Sequence, residues 1–443
     1  MTSVYAVLLI AFATATLVVE FARQRNITPI ALLTVGHLGY VALNPLICLV
    51  SPANTRYFIE MVNVGGAVVP EGLGRVFLAA AAFQLGCLVV SLVPSKAPAR
   101  TALELDPHIV SRFVRIAVVL LGLSAIGTVW LGILYEGSPL GLYRIPYGVR
   151  TEFIYELGPI AFMADLVQYG AALLVTILVL TGRTRLAVLV LGGVVLHSIG
   201  VKSKHPIVYV GCVFAVVSML SGSGRIFRAL VPLAAAALIV SGLGLARTTG
   251  DQGMGAMLGF LEENREQLYD EVSTPWSNDL PGPAAVSYLV VNSPNEEWSL
   301  APLAEIITIF VPRLVVDRGP SQADSFARQT LRGEYFVGAG MGWSMVCDGY
   351  RSLGILGTGL AGALIAAVGS ALARRSRVPR PAARLRATVY LCVASPLFLL
   401  GPRYGVAGFA KQLVILFVLV LVSERLVRVT GGWLATPART AHD

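Results

Sequence analysis

Apolar residues in this chain come in blocks of about twenty, the length an α-helix needs to cross ~30 Å of hydrocarbon at ~1.5 Å per residue. The blocks fall at 2–21, 28–50, 76–94, 113–135, 159–181, 185–200, 206–221, 226–246, 352–373, 385–401 and 406–424. In lipid every backbone N–H and C=O must be satisfied within the segment, so such blocks read as helices. Composition agrees. Hydrophobic residues make up 56% of the chain and charged residues 13%, with a mean hydropathy of +0.74, whereas a soluble domain carries roughly a quarter of its residues charged. The expected fold class is all-α integral membrane, with about eleven transmembrane helices. The first block ends at Glu20, with no basic region before it and no small-residue cleavage site after it. It reads as a retained span rather than a removed signal peptide.

Short loops set the orientation. Arg23 and Arg25, the group Lys96, Arg100, Arg112 and Arg115, the pairs Arg183/Arg185 and Arg225/Arg228, the run from Arg374 to Arg386, and the tail residues Arg425, Arg428 and Arg439 fall on one side if the span count is odd. That side is expected to be cytoplasmic, with the N-terminus outside. The chain then divides into spans one to eight (1–246), a large extracytoplasmic loop between spans eight and nine (247–351), and the last three spans with a cytoplasmic tail (352–443). Within the loop Met254, Met257, Leu258, Leu261, Leu268 and Val272 recur at helical spacing and predict an amphipathic surface helix. The apolar stretch 301–311 is too short to span and reads as re-entrant or interfacial. Pro275, Pro281, Pro283 and Pro294 are expected to break the chain between these pieces.

Cations that violate the charge rule carry the functional information. Lys202, Lys204 and His205 share a tight turn between two apolar blocks, Arg403 stands alone in another, and Arg144 and Arg150 alternate with Tyr143 and Tyr147. Charge at the end of a span is expensive and usually functional, although lysines also snorkel to headgroups, and Arg265 and Arg328 read equally well as solvated loop charges. Arginine forks suit phosphate oxygens, so a positive outer face fits a lipid-linked phosphate substrate. Mid-span positions are poor in charge, with Asp165 and Lys411 the main exceptions, and His37 and His197 read as satisfied core histidines. That pattern disfavours a charged path through the bilayer.

Metal chemistry is not expected, because no carboxylate cluster with ligand spacing faces outward. Cys48, Cys87, Cys212, Cys347 and Cys392 form no ligand-spaced pair. The run Gly338 to Gly342 lacks the preceding strand and following lysine of a phosphate loop. Gly354, Gly357, Gly359 and Gly362 have the small-residue spacing of close helix packing.

One segment carries a recognisable pattern. Pro312-Arg313, Arg318-Gly-Pro320, Gly338-x-Gly340, Ser344, Asp348-x-Tyr350 and Gly354-x-x-Gly357 resemble the motif of the Wzy-type oligosaccharide repeat-unit (O-antigen or exopolysaccharide) polymerases. Val316 stands where that family has an aromatic, Arg318-Gly-Pro320 where it has Lys-Pro, and Asp348 where glutamate is more usual; both polar changes keep the charge. The resemblance implies a GT-C-like fold related to O-antigen ligases. It implies transfer of a glycan from undecaprenyl pyrophosphate to the non-reducing end of another lipid-linked repeat unit, without metal or other cofactor. Its expected partners are the lipid-linked donor and acceptor, membrane lipid and a chain-length regulator, with no nucleic acid. Its expected place is the bacterial inner membrane, with the active site facing the periplasm or exterior. On this reading Arg313, Arg318, Lys202, Lys204, Arg403, Arg150, Arg144 and Tyr350 bind substrate. Asp348, Glu334 and His205, in that order, are the candidate acid–base groups. Asp348 reads also as the N-cap of the ninth span, and Glu334 as an exposed loop acid. The alternatives are a ligase-like glycan transferase and a lipid-linked oligosaccharide transporter or flippase.

Overall fold

A computed structural model describes residues 1–24, 28–65, 67–93, 103–143, 158–201, 203, 205–221, 281–293, 304–305, 326 and 342–434. All regular structure among them is helical: α1 (Thr2–Gln24), α2 (Pro29–His37), α3 (Leu43–Val50), α4 (Arg56–Gly65), α5 (Pro70–Leu92), α6 (Pro107–Glu136), α7 (Gly158–Asp165), α8 (Val167–Leu180), α9 (Thr184–Gly200), α10 (His205–Leu220), α11 (Pro281–Asn292), α12 (Met345–Arg375), α13 (Pro381–Leu400) and α14 (Gly405–Leu434). Proline opens α2, α5, α6 and α13, where its missing N–H has no partner to lose. A π-helical turn, Leu38–Ala42, joins α2 to α3 in one span.

Eight of these segments are long and apolar enough to cross a membrane, and α9 and α10 are shorter apolar helices. The protein is therefore a multi-pass helical membrane protein. Large apolar side chains face outward at helical spacing: Val7 and Ile10 on α1, Ile126, Trp130 and Ile133 on α6, and Leu356, Leu360 and Leu364 on α12. An aqueous surface does not tolerate such stripes, but lipid does. Helix α13 is the most enclosed, with 78% of its most apolar window buried, and α1 the least, with 28%. The interval 226–246 lies outside the described residues, as do the amphipathic stretch 254–272 and most of 301–311.

Contacts define two ends. At one, the Thr2 hydroxyl donates to the Pro70 carbonyl, the Asn292 amide to the Gly72 carbonyl, and His205 meets Gln168. At the other, Arg112 pairs with Glu424 at 3.0 Å, the Tyr390 hydroxyl donates to Glu424 at 2.7 Å, and Glu20 and Thr28 share a crevice with Arg374 and Arg377. Arg112, Arg374 and the neighbour of Arg425 thus gather at a single end.

Two expectations change. Prolines 281 and 283 do not break the chain: α11 runs Pro281–Asn292, with Ala284 to Val291 buried. The reason is position, since both prolines lie in the first turn, where amides need no intrahelical acceptor. Helix α11 is fastened to the α4–α5 linker by Tyr288, whose hydroxyl accepts from the Val69 amide at 2.9 Å and donates to the Ala67 carbonyl at 3.1 Å.

The ninth span is also not one rod. Gly354 adopts φ 62° and ψ −141° inside α12, a combination open essentially to glycine. A Cβ on Gly349 would lie 2.6 Å from the Thr358 Cα, and one on Gly357 would lie 2.1 Å from the Gly349 carbonyl oxygen. Nine residues of straight helix would separate 349 from 358 by ~13 Å, so the break folds Met345–Ser352 back on the long segment. Gly354 makes the reversal and Gly357 permits the contact. Farther along, Gly362 seats α12 on α5, a Cβ there falling 2.2 Å from the Phe83 carbonyl oxygen. Close packing by small residues, as expected, joins these helices.

Candidate functional site

The turn Gly401–Tyr404 between α13 and α14 is the hub of the Thr2 end. It touches α2, the π-helical turn, α12, α13 and α14. Gly405 then starts α14 at φ 72°, and a Cβ there would fall 2.7 Å from an Asp348 carboxylate oxygen.

Asp348 is 4% exposed, and both of its oxygens are engaged. One accepts the Trp343 indole N–H and the other the Val406 amide, each at 2.5 Å. The Val406 amide belongs to the first turn of α14, where N–H groups lack intrahelical acceptors and a negative charge is favoured. Asp348 therefore caps a helix, but not the one expected. The ninth span is capped by Ser344, whose hydroxyl accepts from the Cys347 amide at 3.3 Å, because Asp348 lies a full turn inside it. Asp348→Ala strands both donors in a buried site and is expected to lower stability by roughly 2–5 kcal/mol. A melting curve in detergent reads this, and an unchanged midpoint would show that the carboxylate is not structural.

His205 opens α10 and is half-buried. Its Nδ1 lies 2.5 Å from Oε1 of Gln168, which is 6% exposed. With the amide oxygen accepting, Nδ1 carries the proton and Nε2 presents a lone pair. The imidazole ring lies 6.1 Å from that of Tyr209 and 6.0 Å from that of Tyr404. Tyr209, and the Tyr169 ring 5.5 Å from it, are themselves fixed. The Tyr209 hydroxyl donates to the Val393 carbonyl at 2.6 Å, and the Tyr169 hydroxyl to Gln412 Oε1 at 2.6 Å. Arg403, half-buried in the turn, is close enough to act electrostatically on both His205 and Tyr404.

Of the residues singled out in the sequence, Asp348, His205 and Arg403 thus meet around one turn. Tyr350 shares the short helical segment with Asp348 and, like Trp343, packs against the apolar cluster that holds Phe326, Val346 and Cys347. Arg351 beside it stacks 5.8 Å from the Trp343 ring and 6.0 Å from Phe326. Tyr143 lies apart, its hydroxyl 3.3 Å from His197 Nδ1 and its ring filling the space over Gly200. Lys202, Lys204, Arg144, Arg150, Arg313, Arg318 and Glu334 lie outside the described residues. Gln168, Tyr209, Tyr404 and Gln412 were missed. A glutamine inside an apolar block is costly enough to have been a signal; Tyr404 adjoins Arg403 in sequence.

Among the described residues no group of three or more His, Cys, Asp or Glu side chains is arranged to hold a metal ion. No family model, curated protein or solved structure matches this chain.

Proposed function

We propose that the chain is a polysaccharide polymerase, a membrane glycosyltransferase acting on the outer face of a bacterial inner membrane. Its substrates would be two lipid-linked repeat units, and it would move the glycan of one from undecaprenyl pyrophosphate onto the non-reducing end of the other. The carrying observation is that Arg403, His205 and Asp348, drawn from distant parts of the chain, gather at one end of an apolar bundle. The motif-like segment 312–357 supports the same reading, as does the surplus of cations at short outer turns.

In this mechanism the acceptor hydroxyl gives its proton to His205 Nε2 as its oxygen bonds to the donor's anomeric carbon. The bond from that carbon to the pyrophosphate oxygen breaks, and the electron pair leaves with the pyrophosphate. The charge on that oxygen grows most in the transition state, so cations fixed beforehand act there more than on bound substrate. Arg403 takes that part, with Lys202, Lys204, Arg313 and Arg318, and with Arg144 and Arg150 along the substrate. Gln168 holds the imidazole in its reactive tautomer. Asp348 fixes the turn that carries Arg403, and the proton goes to His205 instead.

The test is reconstitution. Purified protein given lipid-linked repeat units is expected to build a polymer ladder in the presence of EDTA, because arginines rather than a divalent cation stabilise the leaving group. Loss of the ladder on chelation and its return with Mg²⁺ or Mn²⁺ would refute the arginine-based account. No ladder under either condition would refute the polymerase reading.

A further inference from the structure

Helix α2 carries polar groups into the bilayer that its protein neighbours leave unmatched. Thr34 and His37, three residues apart and so on one face, are 0% exposed, as is Gln84 across from His37 on α5. His37 lies about 12 Å from the start of α2 at ~1.5 Å per residue, deep within ~30 Å of hydrocarbon. Its ring is stacked on Phe83, the centroids 4.4 Å apart and the planes 12° from parallel. The Gln84 side-chain amide donates to Nδ1 at 2.8 Å, so the neutral ring keeps its proton on Nε2. The expectation of a satisfied core histidine is met at that one nitrogen. Nε2 has no hydrogen-bond partner among the described residues, and neither does Gln84 Oε1 or the Thr34 hydroxyl. Other span threonines behave differently: Thr16, Thr176 and Thr358 donate to the carbonyl four residues back, at 2.8, 2.8 and 3.1 Å. Past the π-helical turn, Asn44 is also 0% exposed, with both amide atoms unmatched.

Buried polar groups without partners are costly, and their chemistry here defines what would satisfy them. Thr34, His37, Gln84 and Asn44 offer dipoles and no formal charge, so an ion would not recover its hydration among them. All four are closed off from solvent, which keeps the occupant small. It has to accept from His37 Nε2–H and donate to Gln84 Oε1. Turning the Gln84 amide over exchanges donor and acceptor at both atoms and leaves the same two demands. We infer that ordered water is bound inside the bundle where α2 meets α5, held by His37, Gln84 and the Thr34 hydroxyl. A buried water typically makes about three hydrogen bonds to groups of this kind. The inference concerns a different place from the proposed reaction and does not depend on it.

Full-length protein in liposomes is equilibrated in water enriched in oxygen-18 and pulsed with X-rays, which convert bound water into hydroxyl radicals. Mass spectrometry then locates the oxidised side chains. Radicals react where they form, so labelled oxidation is expected at Phe83 and His37 although both are 0% exposed. None is expected at Phe398, an equally buried ring that packs on Phe409. The His37→Phe/Gln84→Met pair removes the polar atoms and is expected to lose the label at Phe83. Phe83 and His37 as unreactive as Phe398 would show a dry seam and overturn the inference. Equal labelling of all three would trace the radicals to general opening of the bundle and overturn it as well. So would undiminished labelling of Phe83 in the double variant. The wild-type contrast with Phe398 decides even where the variant fails to fold.

Discussion

Arg403→Ala is expected to cut polymer formation about a hundredfold, which corresponds to ~3 kcal/mol of barrier for one lost charge-assisted contact to a departing anion. The side chain is half-buried in a short turn beside His205 and Tyr404. A half-exposed cation of this kind contributes little to folding, so protein abundance is expected to stay near wild type. Arg403→Lys is expected to restore only part of the activity, since an ammonium keeps the charge but loses the planar fork. The same loss is expected for Arg313→Ala, Arg318→Ala and the Lys202→Ala/Lys204→Ala pair, whereas Arg265→Ala serves as a nearly silent control. Complementation of a deletion strain, read as polymer ladders with expression levels alongside, separates these outcomes. Full-length polymer from Arg403→Ala would show that the turn is scaffold, and the leaving-group site would have to lie elsewhere.

His205→Ala is expected to lower the rate by about 10²–10⁴, the usual contribution of a positioned general base. Gln168 tests the geometry behind it. Gln168→Leu removes the acceptor for Nδ1–H and frees the imidazole to take the other tautomer, so a roughly tenfold loss is expected. Gln168→Glu keeps an acceptor in the same place and is expected to retain more activity than the leucine variant. A purely structural role for Gln168 predicts instead that both variants track their melting temperatures. Wild-type rates from His205→Ala would reduce the histidine to a packing residue of α10.

Much of this molecule was legible without coordinates because lipid imposes one simple demand on long segments. The blocks that became α1, α5, α6, α13 and α14 need no partner to be recognised, since an apolar run of that length has to satisfy its own backbone. Helix caps were local but were not read: Thr28, Asp106 and Ser344 each precede a helix and accept from its first turn, while Asp348 was named for the ninth span instead. The glycines of the ninth span announced close packing, and α5 lies against them.

What sequence could not decide was anything that depends on where one turn meets another. Proline was read as a breaker at 281 and 283, yet the helix begins there, so its offset from the helix start, not its presence, set the outcome. Asp348 was read as a base or a local cap, but its partners are Trp343 five residues before it and Val406 on another helix. Gly354 gave no sign that it reverses the chain rather than merely thinning a helix. His205 acquires a fixed tautomer only because Gln168, remote in sequence, is delivered to its Nδ1 by α8. The apolar pattern alone fixed which long segments are helices, because hydrophobic burial is non-directional and additive along the chain, whereas the shorter α4 and α11 escaped it. Only the tertiary structure decided which polar groups meet, because hydrogen bonds and charge pairs depend on ångström-scale geometry between segments that the sequence keeps apart.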